Sequence, residues 1–109
     1  MSEGSWYPVG AADKLDEGQM LGTEAGGQYL CLYKVDGCVY ATSDICTHEH
    51  VHLSQGGYLE GKLIECPLHA GQFDVTTGQG MGPPVTSDIR TFPVRVVKGA
   101  IEVCVPGGE

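Results

Sequence analysis

With 109 residues the chain has room for one domain and too little for two. Fourteen acidic against six basic side chains leave a formal net charge of −8, which argues against a nucleic-acid partner, since binding phosphate needs a basic patch. An odd count of five cysteines argues against a fully paired disulfide framework, and no apolar run is long enough to span a bilayer.

The N-terminal stretch Met1-Ser2-Glu3-Gly4 has no basic region and no twin-arginine signal. The expected compartment is therefore the reducing cytoplasm, where thiols stay available to metal. The acidic surface favours basic partner surfaces and a monomeric state, and solubility alone accounts for it equally well. Seventeen glycines and six prolines lie among short apolar runs without a Gly-x-y period, which predicts turns between strands.

Trp6-Tyr7-Pro8-Val9 reads as a first strand at a sheet edge, because Pro8 cannot donate to a ladder. Ala11 to Gly18 is polar, with room for one helical turn. A second strand is expected at Gln19 to Thr23, a turn at Ala25-Gly26-Gly27, and a third strand at Gln28 to Val35. Asp36-Gly37 then separates that strand from Cys38 to Thr42. An Asp-Gly pair between two β-prone runs is the strongest short hairpin signal, since both turn positions need positive φ. Cys31 and Cys38 fall within these strands and read as small buried hydrophobes.

Leu59-Glu60, Gly61-Lys62 and Leu63-Ile64-Glu65 suggest a short hairpin that leads directly into Cys66, and Gln72 to Val75 suggests another strand. Thr76 to Pro84 is a long irregular loop. Phe92, Val94 and Val96 share one face of a further strand, which Pro93 marks as having an open edge. Lys98-Gly99 turns it into Ile101, Val103 and Val105, alternating with Glu102 and Cys104, the latter another structural thiol. Pro106 to Glu109 reads as a frayed tail. Eight or nine short strands without helical periodicity predict an all-β domain.

The chemistry is concentrated in Cys46-Thr47-His48 and, seventeen residues later, Cys66-Pro67-Leu68-His69. These are two matched pairs, Cys-x-His and Cys-x-x-His. Two Cys and two His from separate loops, in place of four Cys, form the ligand set of a Rieske [2Fe–2S] centre, in which two His replace two Cys on one iron. The chain resembles the Rieske ferredoxins of bacterial ring-hydroxylating dioxygenase systems. The resemblance runs from about Trp6 to Val105 and is most specific from Cys46 to Asp74, including Gly57-Tyr58-Leu59-Glu60-Gly61 and Glu65-Cys66-Pro67-Leu68-His69.

That resemblance implies a Rieske fold: an antiparallel β-sandwich with a small cluster-binding subdomain inserted at about residues 45–85, within one domain spanning 1–109. It implies one [2Fe–2S] cluster, with Cys46 and Cys66 on the inner iron and His48 and His69 on the outer iron. It implies a one-electron carrier with no catalytic residues and no substrate of its own, reduced by a flavin-containing reductase and oxidised by a terminal oxygenase. Gly80-Met81-Gly82-Pro83-Pro84 resembles the family's proline loop, which covers one side of the cluster.

Two ferric ions, two sulfides and two thiolates sum to about zero, whereas four thiolates would give about −2, so the histidine-ligated centre accepts an electron more readily. Respiratory Rieske proteins add a cysteine to each ligand loop, at positions held here by Val51 and Leu68, and a Ser and a Tyr hydroxyl, at positions held here by Gly71 and Phe73. Without those hydroxyls and that disulfide, the expected potential lies near the low end of the Rieske range, roughly −150 mV.

His50 and His52 extend the run His48-Glu49-His50-Val51-His52 and read as solvated loop residues, with docking or tuning near the cluster as the alternative. A structural zinc site is disfavoured, because zinc modules pair Cys with Cys and His with His, whereas each pair here is mixed. There is no nucleophile elbow, dinucleotide fingerprint or phosphate loop to support independent catalysis. Small Rieske subunits of nitrite reductases and of monooxygenases are the competing resemblance.

Overall fold

The computed structural model describes residues 4–46, 51–67, 71–81 and 88–106. His48, His50, His69, Leu68 and the segment Gly82-Pro83-Pro84 lie outside the described residues. Among the described residues the architecture is all-β and antiparallel, with ten strands in three sheets and a single 3₁₀ turn, Ala12–Lys14, where the polar stretch after the first strand allowed one.

One sheet joins β1 (Gly4–Ala11), β10 (Ala100–Pro106) and β9 (Val94–Val97) in that spatial order. A second runs β2 (Met20–Ala25), β3 (Gln28–Val35), β4 (Cys38–Ser43) and β8 (Thr91–Phe92). A small third sheet is a meander of β5 (Tyr58–Glu60), β6 (Leu63–Glu65) and β7 (Gln72–Asp74). Pro8 lies on the edge strand β1, as expected of a residue without an amide proton, and the register slips between Pro8 and Gly10.

Strand β3 organises the molecule because both of its faces are buried. Leu30 and Leu32 point toward Ile101, Val103 and Val105 of the first sheet and fill a core with Phe92, Ala41 and Leu15. Cys31, Tyr33 and Val35, offset by one residue, point the other way into a second core with Leu53, Ile64, Phe73, Val75 and Ile89. The layers therefore stack as first sheet, second sheet, then the small sheet with its loops. A strand covered on both sides reads as an unbroken apolar run, and the segment Leu30-Cys31-Leu32-Tyr33 is one.

The hairpin turns behave as their sequences predict. Asp36 and Gly37 sit at φ 52° and 79°, and Lys98 and Gly99 at 52° and 81°. Such paired left-handed residues match the twist of the strands they join. The Glu17 carboxylate accepts the backbone N–H groups of both Asp36, at 2.6 Å, and Gly37, at 2.9 Å. These bonds hold the Glu17 carboxyl below its ordinary pKa.

Two expectations are corrected. The strand read from Phe92 to Val96 is divided at Pro93: Thr91–Phe92 pairs with β4 in the second sheet, while Val94–Val97 pairs with β10 in the first. Phe92 is buried, but Val96 on the edge strand β9 is 51% exposed. The Pro93 carbonyl still accepts a bond from the Cys104 amide at the crossing point. Cys38, expected to be buried, is exposed at the start of β4, because it flanks the turn at the open end of the sheet.

Candidate functional site

Cys46 follows the last residues of β4, and Cys66 follows β6 directly. The two are built into their loops in the same way. The Cys46 amide donates to the Val51 carbonyl at 3.0 Å, and the Cys66 amide donates to the Gly71 carbonyl at 2.8 Å. In each case the bond closes a loop whose carbonyl partner lies five residues on. Each loop returns into paired backbone: Ile45 bridges His52 behind the first loop, and Glu65 pairs with Gln72 behind the second.

Both thiols are buried, Cys46 at 4% and Cys66 at 2% exposure, and both belong to the core on the far face of β3. Leu53, Ile64, Phe73 and Ile89 of that core exclude water from the sulfur side. Phe73, where respiratory relatives have a tyrosine, is fully buried and brings no hydroxyl. The segment after the second loop is tied alongside it, with the Met81 amide donating to the Gln72 carbonyl at 2.9 Å and Phe73 bridging Gly80.

The meander sits close against the first loop. Gly57 donates to the Leu53 carbonyl at 3.0 Å, and a side chain there would collide with that carbonyl and stand 3.1 Å from the Glu65 carbonyl. Glycine is therefore required where the chain passes between the two ligand segments.

The remaining cysteines behave as structural residues. Burial pushes the Cys31 thiol up to about 12, so it stays protonated at neutral pH and is a poor metal ligand. Tyr33 beside it is raised for the same reason, and its hydroxyl donates to Thr42 Oγ1 at 2.9 Å, which in turn donates to the Ser43 carbonyl. Cys104 is half-buried on β10.

His52 departs from the expectation of a solvated loop residue. Its Nδ1 donates to Asp44 Oδ2 at 2.8 Å, and its ring meets Tyr29 edge-on with centroids 5.0 Å apart. Asp44 is itself buried at 2% exposure. Ser54 donates to it twice, from the backbone N–H and from Oγ, each at 2.7 Å. Sequence reasoning missed this cluster, because residues eight and ten positions apart across a loop leave no periodic signal.

Among the described residues no group of three or more His, Cys, Asp or Glu is placed to hold a metal ion. The donors brought together are the two thiols of Cys46 and Cys66; their companions from the sequence motifs, His48 and His69, lie outside the described residues. Two buried sulfurs on separately closed loops, one from a Cys-x-His and one from a Cys-x-x-His motif, suit a metal–sulfur centre.

Comparison with known proteins identifies the family. Residues 5–93 match the model of the Rieske [2Fe–2S] domain. The ferredoxin component of the naphthalene 1,2-dioxygenase system of Pseudomonas putida is 47% identical over 91 residues, covering 84% of this chain and 86% of that protein. Among solved structures, the complex of reduced oxygenase and oxidised ferredoxin in carbazole 1,9a-dioxygenase contains a chain 38% identical to this one, with a TM-score of 0.85 and coverage of 91% and 92%. The Sphingomonas yanoikuyae B1 ferredoxin superposes with a TM-score of 0.87 at 31% identity, covering 94% of this chain and all of that one.

Proposed function

This chain belongs to the Rieske [2Fe–2S] family, and from that premise we propose that it is the ferredoxin of an aromatic-ring dioxygenase system, passing single electrons from a flavin-dependent reductase to a terminal oxygenase. As a family member it carries one [2Fe–2S] cluster. When bound, the cluster supplies a site that accepts and releases one electron at a time. The chain contributes the ligands, the dry pocket and the surface through which partners approach.

Cys46 and Cys66 hold the inner iron, and His48 and His69 hold the outer iron. The observation that carries this reading is the equivalent closure of the two loops, each with its cysteine buried in one shared core. The apolar wall of Leu53, Ile64 and Phe73 would keep water from the cysteine side of a bound cluster, and electron exchange would then run through the side held by His48 and His69. Residues 1–109 act as one domain, with residues of about 45–85 forming the cluster-binding part.

The protein acts as a carrier rather than as an enzyme, in the cytoplasm and as a monomer, with neither nucleic acid nor membrane as a partner. No described helix is long and apolar enough to cross a membrane. The acidic surface, with net charge −8, supports brief docking against basic partner surfaces.

The test has two arms. Iron, acid-labile sulfide and electron paramagnetic resonance are measured on the purified protein and on Cys46→Ser, Cys66→Ser, His48→Ala, His69→Ala and His50→Ala. The first four variants are expected to lose the cluster and His50→Ala to keep it; loss on His50→Ala alone would reassign the outer ligand. Reconstitution with a flavin reductase and either an aromatic dioxygenase or a nitrite reductase then identifies the client. Redox titration should give a midpoint near the low end of the Rieske range.

A further inference from the structure

We propose that Asp44, His52 and Ser54 form a latch that fixes the stem of the first ligand loop, and that His52 is a positioning residue for Cys46. The proposal rests on the cluster assignment above and extends it to residues that hold no iron.

The geometry concentrates several restraints on one buried carboxylate. Asp44 lies two residues before Cys46, and His52 and Ser54 lie on the returning stem of the same loop. Asp44 Oδ1 accepts the Ser54 amide, while Oδ2 accepts both the Ser54 hydroxyl and the His52 ring. The Asp44 carbonyl accepts the Leu53 amide at 2.7 Å, and its amide donates to the Tyr29 carbonyl at 2.9 Å. Asp44 thereby joins the outgoing stem to the returning stem through its carboxylate, and to strand β3 through its backbone amide. The bond from the Cys46 amide to Val51 lies immediately beyond this junction.

A carboxylate at 2% exposure is costly unless its lone pairs are satisfied. His52 and Ser54 satisfy them only while the two stems stay in register. Any slippage of the first loop must break those bonds inside the protein, so the latch resists displacement of Cys46. Tyr29 limits rotation of the His52 ring by its edge-on contact.

Strand β2 closes over the latch at Gly22. A methyl group there would collide with the Ser54 hydroxyl, stand 2.9 Å from the Ser54 Cβ and 3.5 Å from Asp44 Oδ2. The absence of a side chain at Gly22 is what lets β2 lie this close. The same latch can therefore be disturbed from outside the ligand loop.

The experiment uses the holoprotein and compares His52→Ala, His52→Asn and Gly22→Ala with the unaltered chain. Asparagine can place its amide nitrogen near the position of Nδ1 and restore the bond to Asp44, without the ring that touches Tyr29. Readouts are the rate of cluster bleaching, the width of the resonance lines of the reduced centre, and hydrogen exchange in the peptide spanning 44–54. His52→Ala and Gly22→Ala should bleach roughly tenfold faster, in line with the usual cost of losing a residue that supports a metal ligand. Both should show broader lines and faster exchange, and His52→Asn should recover most of each. Equal bleaching and exchange in all four proteins overturns the latch while leaving the cluster assignment intact. An unaltered protein without iron and sulfide overturns the cluster assignment itself. A uniform fall in thermal stability without rescue by asparagine reduces His52 to a packing residue and also overturns the proposal.

Discussion

The two cores on either side of β3 are built from different materials. The core facing the first sheet is hydrocarbon and alanine, closed by long strands: β1 and β3 have eight residues each and β10 has seven. The core facing the small sheet contains three cysteines and a tyrosine, and the sheet covering it has strands of only three residues. Meanders so short are marginal by themselves. The sandwich is held by its own backbone ladders and apolar area, whereas the ligand-bearing side depends on what its loops grip.

The strongest way to break that contrast is to cut the same volume from each core. Ile101→Ala in β10 and Ile64→Ala in β6 both remove a fully buried side chain. Each should cost about 2–5 kcal/mol through lost burial and the cavity left behind. The outcomes should separate at the metal. Folded Ile101→Ala protein should keep a full complement of iron, because its cavity faces the sandwich. Ile64→Ala should hold iron poorly even where circular dichroism reports folded protein, because Ile64 packs in the same core as both cysteines. Equal iron content in the two variants would show that the cores act as one unit.

Acid offers a smaller and more selective test. Asp74, at the end of β7, is buried, and burial works to raise its carboxyl. The Thr76 hydroxyl at 2.6 Å, the Thr76 amide at 2.9 Å and the Lys62 ammonium at 3.4 Å outweigh that effect and hold it below the ordinary 3.8. A carboxyl depressed in the folded state contributes stability above its unfolded value, and that contribution is lost as pH falls through the folded value. Stability should therefore drop below about pH 4. Thr76→Val removes the hydroxyl bond and should lower stability at neutral pH by about 1.5 kcal/mol. The deficit should shrink toward zero once the carboxyl is protonated in both proteins. Urea denaturation across the acid range checks this; a deficit independent of pH would mean that Thr76 acts by packing alone.

The same contrast separates what could be read from the sequence from what could not. Gln28–Val35, the turns at Asp36-Gly37 and Lys98-Gly99, and the alternation of Ile101, Val103 and Val105 were legible because each is set by neighbours in the chain. Cys46 and Cys66 stand out in the sequence by their spacing from His48 and His69, and the structure buries both cysteines in one core. The division at Pro93 was hidden, since Phe92, Val94 and Val96 alternate as one strand would, and only the presence of two sheets decides that they part. Cys38 was misread because the same apolar residue type serves in a strand's middle and at its open end. The latch at Asp44 was hidden because its partners meet only after the loop has closed.

The smallest expected effect lies in the sandwich, where local rules govern. Lys98 and Asp36 occupy equivalent first positions of their turns, both at φ 52°. The left-handed region is costly for a side chain such as lysine, whereas Asn and Asp tolerate it through local hydrogen bonding. Asp36 is already suited to its place, and its amide is held by Glu17. Lys98 is not, so Lys98→Asn should stabilise the protein by about 0.5 kcal/mol, whereas Asp36→Asn should change little. The substitution takes the formal net charge from −8 to −9, so denaturation midpoints are compared in salt sufficient to screen added repulsion. Iron content should be unaltered in both variants, because these turns join strands of the sandwich rather than the loops of the small sheet. A gain at Asp36 equal to that at Lys98 would show that residue type alone sets the cost, with Glu17 contributing nothing to its turn.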